Sequence, residues 1–344
     1  MKKNLNLLLL FLVLAGTVFY LTYLKEVNYG LRQMKGQMNV MFNTIPLGEV
    51  LNDATFPDSL KQRIRLIKEI KQFTVDSLGL VPSTSYQNYY DQKGEPILWV
   101  MAACPPYSLE NKKWKFPVVG EFAYKGHFEK DIAVREIEEL KNEGLDVRLA
   151  EVSAWSTLGY LSDPVLSSML ERSEGSLAAL IIHELTHSTL FVKNNLEFNE
   201  NLADFIGDQG ALFFLRTKYG EDAKELKNYK ALKVYQVRFS NHIANGTLQI
   251  DSLYQTFSPE MSSIKKDSLK YDLIDHIMFT ADSLQPNQRY RYKGRGSVNN
   301  AFFTAYRTYQ GKQNEFQMEL DSKFNNNFEN YLTYLKQKYQ SLGK

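Results

Sequence analysis

Residues 177–191, LAALIIHELTHSTLF, constrain this chain more than any other stretch. They contain no helix breaker, and apolar residues fill positions 177, 180, 181, 182, 185, 190 and 191. A helix so apolar is stable only when neighbouring elements enclose it, so it belongs at the centre of a fold, opened by Ser173 or Ser176 as N-cap. The chain has only five histidines, and this helix carries two of them in HELTH, residues 183–187. On a helix, positions i and i+4 point the same way with Cβ atoms about 5–6 Å apart, which suits two imidazoles binding one zinc at about 2.0–2.1 Å each. Glu184 lies about 100° around the helix from His183, flanking that metal where a general base for an activated water belongs. The competing reading is two histidines on a helix surface or satisfied in a core.

A catalytic zinc takes three protein ligands and keeps one position open. The third is expected from FNENLADFIGDQGA, residues 198–211. The pair Asn194-Asn195 reads as the end of the first helix, and a second beginning near Asn199 puts Glu200 in its first turn, with Asp204 at i+4 on the same face. Glu200 is the preferred ligand, with Glu197, Asp204 and Asp208 as alternatives. Asp204 fits the carboxylate that accepts the other ring N–H of a ligating histidine. Ala203, Gly207, Gly210 and Ala211 form a small-residue stripe that lets two helix backbones approach closely.

Composition narrows the alternatives. Hydrophobic residues make up 44% and charged ones 23%, with a net charge of +2, so the chain is globular and no global charge points to nucleic acid. Cys104 is the single cysteine, which excludes an internal disulfide and a cysteine metal cluster. RYRYKGRG, residues 289–296, interleaves basic and aromatic residues, but one short loop reads as solvated or as a carboxylate or lipid contact; no nucleic-acid partner is expected.

The run Leu7–Leu24 follows Lys2 and Lys3 and holds no charge across eighteen residues. It reads as a retained single-pass signal anchor, residues 1–25, which places the rest on the periplasmic or extracellular side; a cleaved signal peptide is the alternative. Beyond it, residues 58–73 are amphipathic at helical period, 114–126 read as one or two short strands and 128–143 as a helix, and within NEGLDVRLAEVSAW (142–155) Val147, Leu149 and Val152 turn to strand period after a stop at Gly144. The remainder is helical, with turns at ANGT (244–247), FSPE (257–260) and QPNQ (285–288).

HELTH followed by NENLAD resembles the two motifs of the gluzincin, thermolysin-like metallopeptidases, H-E-x-x-H and N-E-x-x-x-D. The resemblance implies His183, His187 and Glu200 as zinc ligands, Glu184 as general base and Asp204 as the partner of His183. Only twelve residues separate His187 from Glu200, fewer than is usual in that group, so the connection must turn tightly. Metzincins are excluded by Leu190 and Lys193, where that clan has Gly and His. A wider resemblance, carried by YGLRQMKGQMNVM (29–41), WKFPVVGEFAYKGHF (114–128), AWSTLGYLSDPVLSSML (154–170), HELTH, FNENLAD and NNAFFTAYRTY (299–309), is to the bacterial putative aminopeptidase family.

The expected fold is α+β and zincin-like: a small mixed sheet on an active-site helix, a helix-rich N-terminal part (26–110), a catalytic core (111–220) and a helical C-terminal part (221–344) closing the cleft. The expected function is a zinc peptidase with one Zn2+ per chain and a peptide substrate. Aminopeptidase cleavage is implied by the family, and endopeptidase cleavage is open. Tyr306 and Tyr309 are candidate oxyanion donors, as is His276. Residues 153–160, with Trp155 and Tyr160, are a candidate edge strand for the substrate. Glu197, Glu151 and Asp163 are candidate amine anchors. The rival functions are a zincin-like peptide-binding protein without turnover and a membrane-anchored scaffold without metal.

Overall fold

The computed structural model describes residues 6, 10, 14, 16–18, 20–116, 120–152, 162–193, 195–284, 292–308 and 313–339. Candidates Trp155, Tyr160 and Tyr309 and the turn at 285–288 lie outside them, as does part of the charge-free run at 7–24. The architecture is α+β. Helix α1 (Leu24–Phe42) leads through β1 (Ile45–Pro46) and α2 (Leu47–Asn52) into α3 (Asp58–Asp76), followed by β2 (Asn88–Tyr90) and β3 (Leu98–Cys104). Then come β4 (Trp114–Phe116), β5 (Gly120–Phe122), β6 (Lys125–His127), α4 (Lys130–Asn142), β7 (Asp146–Val152) and β8 (Val165–Leu166). The rest is helical: α5 (Glu174–His187), α6 (Leu196–Tyr219), α7 (Lys224–Gln255), α8 (Ser263–Asp282), α9 (Asn300–Thr308), α10 (Gln313–Phe324) and α11 (Phe328–Tyr339).

The strands form small sheets around the central helices. One is mixed, with β1 antiparallel and β8 parallel to β2. A second is antiparallel in the order β6-β3-β7, and β4 and β5 form a hairpin. Strand β3 is a continuous apolar run, LWVMAAC, because both its faces are covered. Trp99, Met101 and Ala103 pack on Ala133, Ile137 and Leu140 of α4, while Leu98 joins the main core. That run lacks alternation, so its sequence pattern did not distinguish strand from helix.

Helix α5 is enclosed as its composition requires. Ser173 is its N-cap, accepting from the Ser176 amide, and Leu177, Ile181 and Ile182 are fully buried. Ile64, Ile67 and Ile70 of α3 join them in one core. Against its other side runs α6, where a Cβ on Gly207 would stand 2.7 Å from the Ala179 carbonyl oxygen and 3.1 Å from His183 Cβ. Only glycine permits that approach.

The C-terminal helices are tied to the antiparallel sheet by a buried polar network. Lys270 donates to Asp146 at 2.6 Å, and the Asn300 amide donates to the same carboxylate at 3.0 Å. The Asn300 side chain donates to the carbonyls of Pro105, Pro106 and Ser108 and accepts from Tyr254.

The structure corrects several expectations. Among the described residues no helix is long and apolar enough to cross a membrane, so the single-pass anchor, its membrane partnership and the localisation built on it do not stand. The segment 244–247 is not a turn but the interior of α7. Gly246 serves helix packing there, since a Cβ on it would stand 2.7 Å from Ile277 Cγ2 of α8. In the basic segment, Arg295 pairs with Asp272 and Asp275, and the Tyr292 hydroxyl donates to Asp275 at 2.6 Å; residues 289–291 lie outside the described residues.

Glu136 on α4 accepts from Lys125 at 2.8 Å, His127 at 3.1 Å and Trp114 at 3.3 Å. Burial pushes its pKa up, but hydrogen bonds from His127 and Lys125 and their charges outweigh this and hold it at about 2 against 4.5. A carboxyl depressed in the folded state stabilises above its unfolded pKa and loses that contribution as pH falls toward the folded one. That contribution to stability is therefore expected to disappear between roughly pH 4.5 and pH 2. Denaturant titrations across that range check it, with a shallower slope expected for Glu136→Gln.

Candidate functional site

The i, i+4 spacing on α5 delivers both imidazoles to one point. His183 Nε2 and His187 Nε2 stand 3.2 Å apart. The chain then reverses. Helix α5 ends at His187, earlier than the apolar run suggests, and the Leu190 amide closes the turn on the Thr186 carbonyl at 2.8 Å. Asn199 holds the short connection: its side-chain oxygen accepts from the Val192 amide at 2.8 Å and its NH2 donates to the Val192 carbonyl at 2.9 Å. Asn195 is the N-cap of α6, accepting from the Phe198 amide at 3.2 Å. Since α6 starts at Leu196, Glu200 is in its second turn, not its first.

From that turn Glu200 faces the histidines, Oε2 at 3.4 Å from His183 Nε2 and Oε1 at 3.6 Å from His187 Nε2. One ligand atom from each of the three residues lies within 4.8 Å of the others. Donors about 2.0–2.1 Å from a tetrahedral zinc stand about 3.3–3.4 Å apart; the two Nε2 atoms have that spacing, and each has a different Glu200 oxygen at a distance within a few tenths of an ångström of the same value. Asp204, one turn after Glu200, binds His183 Nδ1 at 2.8 Å, which leaves Nε2 facing the cluster. The remaining carboxylates of the segment are engaged or turned away. Asp208 accepts from Tyr229 at 2.6 Å and pairs with Lys233, and Glu197 is exposed.

The electrostatics are consistent with a cation site. Burial pulls the His183 pKa down, but hydrogen bonds to Asp204 and Glu200, with the charges of Asp204 and Glu184, lift it to about 10. His187 is pushed the other way, to about 4, by burial and then by the charge on His183. The carboxylates thus call for positive charge at His183 Nε2, and a divalent cation meets that demand as a proton does. His187 Nδ1 is buried with no hydrogen-bond partner among the described residues.

Glu184 stands beside the cluster. It shares with His183, Arg172, Ser176 and Lys233 a cavity of about 240 Å3 between α5 and α7. Two tyrosines that sequence spacing did not single out lie near these carboxylates. Burial, then the charge of Glu184, raises the Tyr86 pKa well above the usual phenol value. Burial, then the charge of Glu200, raises that of Tyr124. Both come from segments remote in sequence, and only folding brings them to α5 and α6. Of the expected donors, Tyr306 lies on the α9 backbone with its side chain outside the described residues, and His276 is exposed on α8. Asp163 is buried, its carbonyl accepting from the Tyr86 amide at 2.6 Å, and Glu151 is exposed on β7.

The sequence family described as "Putative aminopeptidase" matches residues 28–342. That description is of a peptidase, whose substrate is a peptide. Neither the curated proteins nor the solved structures gave a match.

Proposed function

We propose, from the premise that this chain belongs to the "Putative aminopeptidase" family, that it is a zinc-dependent aminopeptidase of the gluzincin kind with a zincin-like core. The observation that carries the reading is the set of distances joining His183, His187 and Glu200, with Asp204 behind His183. These three residues would hold one Zn2+ per chain. Bound there, zinc supplies Lewis acidity to a peptide carbonyl and lowers the pKa of a water. Glu184 takes the proton of the attacking water and returns it to the leaving amine nitrogen. Asp204 accepts the Nδ1–H of His183 and fixes the tautomer and orientation of the ring. Arg172 lines the same cavity as Glu184, and Tyr86 stands near enough for the charge of Glu184 to help keep its phenol protonated.

Digestion of a peptide library, read by mass spectrometry, tests the activity and its specificity. Cuts after the first residue only, abolished by a zinc chelator and restored by zinc, are the expected result. Internal cuts would replace aminopeptidase by endopeptidase, and cleavage unaffected by chelation would contradict the metal reading.

A further inference from the structure

A groove of about 420 Å3 lies on the far side of α5 from His183, between α3 and the segment 82–87. Its size falls in the range of small-molecule sites. Lys68 and Lys71, one turn apart on α3, are the only charged residues lining it; no carboxylate does. Lys71 donates to the Ser85 carbonyl, which fixes its ammonium in the wall. Neither lysine has an ion-pair partner among the described residues, whereas Lys61, on the same helix, pairs with Asp58. The polar remainder includes Ser83 and Gln87, which can donate to an oxyanion. The amide of Gln72 is taken by Asp76 at 2.8 Å.

The opposite wall is Tyr86, next to Leu185 of the catalytic helix. Tyr86 holds a left-handed backbone at φ 60°, a rare conformation for a bulky residue and one found at ligand clamps. The Asp163 carbonyl pins it through the Tyr86 amide, and the Asp163 amide in turn donates to Ser85 Oγ at 3.2 Å. Two cations facing one roomy cavity repel each other until an anion stands between them. Burial first, and then the charge of Lys68, pull the Lys71 pKa below the ordinary lysine value.

We propose that this groove binds a small oxyanion ligand, a phosphate or carboxylate compound, between the ammonium groups of Lys68 and Lys71. Nothing in the peptidase reading calls for such a site. Isothermal titration of the full chain with inorganic phosphate, pyrophosphate and citrate tests it, and the order of affinities identifies the preferred oxyanion. Saturable binding at one site per chain is expected, weakened about tenfold or more in Lys68→Glu and in Lys71→Ala. Lys68 is exposed, so Lys68→Glu does not depend on the folding of a core variant. His183→Ala should bind as the parent does, which separates this groove from the histidine cluster. No saturable binding of any of the three anions, or binding by Lys68→Glu within twofold of the parent, would overturn the proposal.

Discussion

Glutamine in place of Glu184 is expected to lower peptide turnover by about 10²- to 10⁴-fold while leaving bound zinc unchanged, the range typical of losing a general base. Glu184 is outside the group of mutually close donor atoms formed by His183, His187 and Glu200, so the metal has no need of it. The amide keeps the shape and the hydrogen-bonding reach of the carboxylate but cannot accept the proton of the attacking water. The loss should therefore fall on kcat, with KM nearly unchanged. Steady-state kinetics beside zinc analysis on the same preparation decide it. A variant within tenfold of the parent would remove Glu184 from the chemistry, and one that lost its zinc would make it structural.

Valine at Gly207 is expected to damage fold and site together. The added Cβ would meet the Ala179 carbonyl oxygen at 2.7 Å, and a backbone atom of α5 cannot swing aside as a flexible side chain can. Overpacking of this kind costs about 1–3 kcal/mol and occasionally more, and a β-branched residue in a helix adds a further penalty of up to about 0.7 kcal/mol. Separation of α5 from α6 also moves Glu200 and Asp204 away from His183, since both acids are on α6. Zinc affinity should fall with stability. Gly30→Ala is the control, because a Cβ there meets nothing within 4 Å and should be neutral or slightly stabilising. Equal midpoints for Gly207→Val and the parent in denaturant would mean that the two helices are not so tightly apposed.

The site was legible where the relevant spacing is local. HELTH places two rings by helical period alone, and NENLAD places Glu200 and Asp204 one turn apart on the next helix. The close approach of the two helices was also visible, in the small residues from Ala203 to Ala211. The start of α6 was less visible. Asn195 caps the helix while Asn199 clamps the preceding turn, and the sequence alone does not say which asparagine does which. Gly246 misled because a glycine beside an asparagine reads as a turn, yet here it admits Ile277 from a helix that follows later in the chain. Strand β3 was hidden by being apolar on both faces. Tyr86, Tyr124 and Arg172 reach the cluster only through tertiary folding, and no local pattern marks them.

Elemental analysis shows whether His183, His187 and Glu200 together hold zinc. Purified parent protein is expected to carry about one zinc per chain, and His183→Ala, His187→Ala and Glu200→Ala to lose most of it while keeping their helical circular dichroism. A folded His183→Ala protein with as much zinc as the parent would contradict the site.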